Sequence, residues 1–94
     1  MNTLLAFLLI ATSLLFKDTR LEFVEKVVSI VEKSGEIEIV SCPFEDVEQT
    51  SAACKAYQIG VTAGTTSKTF SPSDKIEPYQ AFLMAGRALQ YLSR

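Results

Sequence analysis

Between Leu4 and Phe16 the chain carries no charge, LLAFLLIATSLLF, and the use made of this run decides what the rest can fold into. It is shorter than the roughly 20 apolar residues that cross a bilayer. A strand buried on both faces reads as a continuous apolar run, which makes a buried first strand the expectation. The Leu and Ala content also suits a buried helix. A secretory signal competes, because signal cores hold about 7–15 apolar residues and Ala11 and Ser13 have a cleavage-like spacing. The charge order opposes it: no Lys or Arg precedes the run, while Lys17 and Arg20 follow it. The sequence therefore predicts a retained element in a cytoplasmic protein. The alternative is a secreted domain from which residues 1–16 are removed.

Beyond the run, periodicity alternates between helix and strand. Thr19-Arg-Leu-Glu22 has the form of a capping box, and Phe23, Val24, Val27, Val28 and Val31 then share one helical stripe. Glu22 and Lys26 are spaced to pair on the exposed side, Lys33 suits a last turn and Gly35 a stop, giving a helix over 19–34. Glu36-Ile-Glu-Ile-Val-Ser41 alternates at period two and reads as a strand ended by Pro43. Glu45, Asp46 and Glu48 with Lys55 further on match the dipole of a helix over 44–57, with Val47, Ala53, Cys54 and Tyr57 inward. A short strand over 58–63 follows, with Gly60 where another group approaches closely. The polar stretch 64–74 comes next, with room for a short strand at 68–71. Asp74 and Glu77 have the spacing of a helix start, Pro78 fits the first turn, and the last helix runs to about Ser93 with Tyr79, Phe82, Ala85, Leu89 and Leu92 inward.

Ninety-four residues suffice for one domain. Strand–helix alternation predicts a single α/β domain, βαβαβ(β)α, with a mainly parallel three- to four-stranded sheet and helices packed on it. Hydrophobic content of 48% against 21% charged is that of a globular chain. The chain has no His and only two Cys, which removes the usual general base and a thiolate zinc site. Neither metal nor cofactor is expected. Nine cations against eleven carboxylates, net charge −2, with the cations scattered singly, predict no nucleic-acid partner, and no membrane partner is expected either. Cys42 and Cys54 would pair in a secreted protein and stay free in the cytosol. The predicted placements do not guarantee the short Cα distance that a disulfide needs, so free packed thiols are the expectation.

Ligands of parallel sheets bind at the carboxyl ends of the strands. That edge would collect Thr12 and Ser13, Ser41, and Thr62, Gly64, Thr65, Thr66, Ser67 and Lys68, a set of hydroxyls, amides and one cation suited to a small anion. Gly64 is not followed by Lys-Ser or Lys-Thr, so the loop is no P-loop. Cys42 before a helix start is placed like a reactive thiol, but the neighbouring carboxylates oppose its ionisation. No carboxylate pair sits in a catalytic motif. The sequence thus reads as a non-enzymatic interaction module, pairing with a protein partner or with itself, a subunit of a homo- or hetero-oligomer. Its predicted contact surface is Met84, Ala85, Arg87, Ala88 and Tyr91; the alternative is an anion-binding domain.

Residues 4–63, with Tyr57-Gln-Ile59 before the third strand, resemble a thioredoxin-like domain. The resemblance puts Ser13-Leu-Leu-Phe16 where that family has its cysteine pair and Ala63 at its cis-proline, and so implies a redox-inactive binding member. A three-layer Rossmann-like arrangement has the same alternation. Through Leu21–Gln49 the order of elements is also similar to a domain type of certain ribosomal proteins and of release-factor C-termini.

Overall fold

Thr19 and Glu22 start the first helix as their spacing requires. In the computed structural model, which describes residues 17–94, α1 spans Arg20–Val31 and both halves of the capping box form. The Glu22 amide donates to Thr19 Oγ1 at 3.1 Å and the Thr19 amide to Glu22 Oε1 at 2.9 Å. A helix leaves its first amides without internal partners. Here Arg20 N donates to the Asp74 carbonyl at 2.8 Å and Leu21 N to that of Pro72 at 3.1 Å, while Ile76 N returns a bond to the Asp18 carbonyl at 2.9 Å. The start of α1 is thereby tied to the segment entering the last helix. Phe23, Val24, Val27, Val28 and Val31 are all buried, as the stripe predicts. Lys26 pairs with Asp18 at 3.3 Å, because Glu22 is occupied by the cap.

Arg20 is buried as well, since α1 begins where the chain folds back on itself. Its Nε donates to the Phe70 carbonyl at 2.8 Å, one terminal nitrogen reaches Gln80 Oε1 at 3.4 Å, and the guanidinium lies 4.8 Å from the centre of the Phe70 ring. Burial pulls its pKa below the ordinary value, partly offset by the Asp74 carboxylate. One side chain thus joins α1, the loop at 70 and the last helix.

The second helix, α2, spans Ala52–Gln58 and is half the predicted length. Ser51 caps it, accepting from the Cys54 amide. Glu45, Asp46 and Glu48 precede it in a loop, so their charge does not mark its first turn. Ile59 and Gly60 close it, with Gly60 at φ +82° in the region that glycine alone enters without cost. Val61 N then donates to the Ala56 carbonyl at 2.9 Å. Cys54, fully buried on α2, is bonded to Cys42, with the two Cα atoms 5.3 Å apart. The expectation of free thiols is therefore corrected.

The last helix, α3, spans Pro78–Ser93, with Pro78 in its first turn and Glu77 as a cap that makes no side-chain bond. Asp74 lies before it, so the expected capping box does not form. The buried face is Ala81, Met84, Ala85 and Ala88. Tyr79 and Phe82 point outward, contrary to the expected stripe, while Leu89 and Leu92 pack partly against the core. α1 is the middle element, contacting both α2 and α3, and Phe44, Val61, Phe70 and Ile76 from the loops complete the core.

The α/β expectation is overturned. Among the described residues there are three helices and no strand; the sole pairing of strand type is an isolated bridge between Thr19 and Lys75. The predicted first strand at 4–16 lies outside the described residues. The segment 36–41 keeps its alternation, with Ile37 buried and Glu36 and Glu38 exposed, but its bonds go to side chains: Ile37 N to Glu32 Oε2 at 3.2 Å and Val40 N to Gln58 Oε1 at 2.9 Å. The strand over 58–63 is replaced by the end of α2 and its cap, and 68–71 is held by Asp46 instead of by a ladder. With no parallel sheet among the described residues, the thioredoxin-like, Rossmann-like and ribosomal resemblances lose the frame on which they rested. No helix among the described residues is long and apolar enough to cross a membrane.

A cross-link spanning twelve residues removes loop-closure entropy from the unfolded chain worth about 3 kcal/mol. Replacing Cys42 and Cys54 by Ala is expected to lower unfolding free energy in urea by about that amount. Adding reductant to the wild type is expected to reproduce the loss, and reductant is expected to leave the double variant unchanged.

Candidate functional site

The hydroxyl loop predicted as an anion site is built to hold itself together. Thr65 Oγ1 bonds Ser71 Oγ at 2.7 Å and Thr69 Oγ1 at 3.0 Å, and Thr66 Oγ1 bonds Thr69 Oγ1 at 2.7 Å while accepting from the Lys68 and Thr69 amides. Thr62 is buried, and its hydroxyl accepts from the Gly64 amide. Ser41, Ser67 and Lys68 are exposed, and Ser41 sits on a different segment from the loop. Thr12 and Ser13 lie outside the described residues. Beneath the loop stands Asp46, whose carboxylate accepts from Phe70 N at 2.9 Å and from Ser71 N at 2.8 Å. These bonds, that from Phe70 first, hold its pKa below the usual carboxylate range against desolvation. The loop's own amides are thus taken by its hydroxyls and by the Thr69 carbonyl, and those of Phe70 and Ser71 by the Asp46 carboxylate. Nothing in the sequence ties Asp46 to residues twenty-four positions away, so this role was not legible.

Gly64 fixes the loop's approach to the core. At φ +90° a Cβ would lie 2.5 Å from Phe44 Cε1, 2.6 Å from the Thr69 carbonyl oxygen and 2.7 Å from that of Thr66. Phe44 in turn meets the Tyr57 ring edge-on at 5.5 Å and Phe70 at 5.6 Å.

Between α1 and α2, Lys55 bonds Glu32 at 2.8 Å in a recess also lined by Glu25, Val28, Ser29 and Lys33. The bond from Lys55 holds Glu32 below its ordinary pKa, and the Ile37 amide adds to it. The pair joins the two helices. Among the described residues no three His, Cys, Asp or Glu side chains gather as metal ligands would.

The predicted contact surface on α3 is placed differently. Met84, Ala85 and Ala88 are in the core, Arg87 is exposed, and Tyr91 is partly buried beneath the Arg94 guanidinium, 3.7 Å from its ring centre. The small residues at 81, 85 and 88 let α3 approach α1 closely, which turns the large ones outward: Tyr79 is 67% exposed, Phe82 47% and Leu83 44%. These three are what the sequence reading missed. The signal was present in the spacing of the alanines, which marks the inner face of a helix apolar all round. A shallow recess lies among Phe82, Leu83, Gly86, Arg87 and Gln90.

Gly64→Ala is expected to cost about 2 kcal/mol of stability by steric overlap in a strained backbone region, read by thermal or urea unfolding. The lowered pKa values of Asp46 and Glu32 mean that the unfolded chain binds protons more readily there. Their contribution is full above the ordinary carboxylate range and is lost as pH falls through the lower folded values, below about pH 4. Asp46→Asn is expected to lower stability at pH 7 and to flatten the acid limb, measured by urea unfolding at pH 7 and pH 3. With the geometry in hand, comparison gives no relative to lean on: no family model, no curated protein and no solved structure matches the chain significantly.

Proposed function

We propose that the chain is a non-enzymatic binding module that pairs with a second copy of itself through the outer face of α3. The supporting observation is the contrast between two helices of one small domain. The outer side of α1 carries Glu22, Glu25, Lys26 and Ser29, whereas that of α3 carries Tyr79, Phe82, Leu83, Gly86 and Gln90 with Arg87 its lone charge. An exposed strip of this kind is suited to burial against a partner. A second copy is the occupant that fits, because the strip is complementary to itself. Gly86 is a notch where an added Cβ would meet nothing within 4 Å, and Phe82 and Leu83 project one turn away. A two-fold axis through the strip seats the knobs of each helix beside the notch of the other.

The module works outside the reducing cytosol. The Cys42–Cys54 bond supports this, since structural disulfides persist in oxidising compartments. The apolar run at 4–16 with Ala11 and Ser13 then takes the alternative role of a secretory signal, in place of the cytoplasmic element expected from charge order.

One helix face per copy is small against ordinary stable interfaces, so a dissociation constant of about 10–100 µM is expected. Sedimentation of the oxidised domain over that range tests it. Dimers that Gly86→Leu weakens about tenfold, with the fold intact, support the reading. A strict monomer at about 500 µM overturns the pairing. Intact mass of the cell-exported chain tests the compartment: a mature terminus beyond Ser13 is expected, and an exclusively intracellular chain starting at Met1 contradicts it.

A further inference from the structure

The alternating segment 36–41 is the one strong sequence signal for which the fold supplies no partner among the described residues. It has strand composition, and the amides of Glu38, Ile39 and Ser41 make no hydrogen bond there. Val40, 82% exposed, is the most exposed large apolar side chain described. Both ends are fixed. Buried Ile37 holds one end, and the Cys42 bond to α2 holds the other. A segment held in this way meets a ligand with little ordering left to do. Beside it runs a groove lined by Glu36, Ile37, Glu38, Ile39, Thr50 and Lys55. The Lys55 charge is met by Glu32 at 2.8 Å, which leaves Glu36 and Glu38 to set the sign of the groove.

We infer that this segment is an acceptor edge for an extended peptide of a partner protein in which basic and apolar residues alternate. Main-chain bonds to the segment supply the ladder, the Lys or Arg residues of the peptide meet Glu36 and Glu38 on one face and lay their stems on Val40, and its apolar side chains cover Ile39 on the other. Charge selects the occupant. Between Ser34 and Cys54 the chain has five carboxylates and no cation, so an acidic strand, or the same segment of a second copy, is repelled. The edge lies on residues separate from α3, and its test does not depend on self-association.

The test uses the oxidised chain and a seven-residue peptide alternating lysine and valine, followed by amide NMR and fluorescence anisotropy. Expected are shifts confined to 36–42 and slowed exchange of the Glu36 and Glu38 amides, which face one edge of an extended segment and have no bond among the described residues. Binding should weaken about tenfold for the double variant Glu36→Gln/Glu38→Gln and at high salt. A peptide alternating glutamate and valine should not bind, and backbone N-methylation of the lysine peptide should abolish binding. Equal binding of the methylated peptide, shifts centred elsewhere, or no binding at millimolar peptide overturns the inference. The Gln variant retains the wild-type unfolding midpoint, because neither carboxylate has a structural partner among the described residues.

Discussion

The Cys42–Cys54 bond fastens the irregular segment after α1 to the short second helix. A seven-residue helix is too short to persist alone, and residues 32–51 contain no regular element to brace it. The cross-link, the Lys55–Glu32 pair and the packing of Phe44 against Tyr57 and Phe70 act on the same stretch. Together they hold α2 against α1. The remaining ties run through α1 at its other end, where Arg20 and the first-turn amides bind residues 70–76 and Gln80.

In this domain side chains do what a sheet ladder does elsewhere. Backbone groups near a core need partners. Here Asp46 receives the amides of Phe70 and Ser71, Gln58 that of Val40, Glu32 that of Ile37, and Gln49 donates to the carbonyl of Phe44. No described buried polar side-chain atom is left without a partner. The arrangement makes the loops specific, since each depends on one distant carboxylate or amide, and it ties the fold to pH through Asp46 and Glu32.

How much of this the sequence disclosed follows the range of the forces. The start and the buried face of α1 were legible because its capping box and valine stripe are local signals four residues deep; its end was not, since the helix stops at Val31, before the expected Lys33 and Gly35, and Lys26 pairs with Asp18 instead of Glu22. The period-two pattern at 36–41 was also real, yet a strand needs a neighbour, and no local signal says whether one exists. The carboxylates at 45–48 looked like a helix start because acidic residues favour one; one of them was needed instead by amides across the fold. The cystine could not be deduced from spacing, since its formation depends on a 5.3 Å approach that only the tertiary structure sets. On α3 the helix was legible and its orientation was not, because its surface is apolar on both sides and only the alanine spacing separates them.

The outward apolar side of α3 and the segment before Cys42, which has no ladder partner among the described residues, follow from one design, a domain that closes its described core with small residues and irregular chain. That design stands on the cross-link. Alkylating the native chain without reductant, then mapping its peptides by mass, tests it most directly. The account predicts that neither cysteine takes up the reagent and that a peptide joining Cys42 to Cys54 is recovered, lighter by two hydrogens than its separate halves. Full alkylation of both cysteines in the folded protein would contradict it.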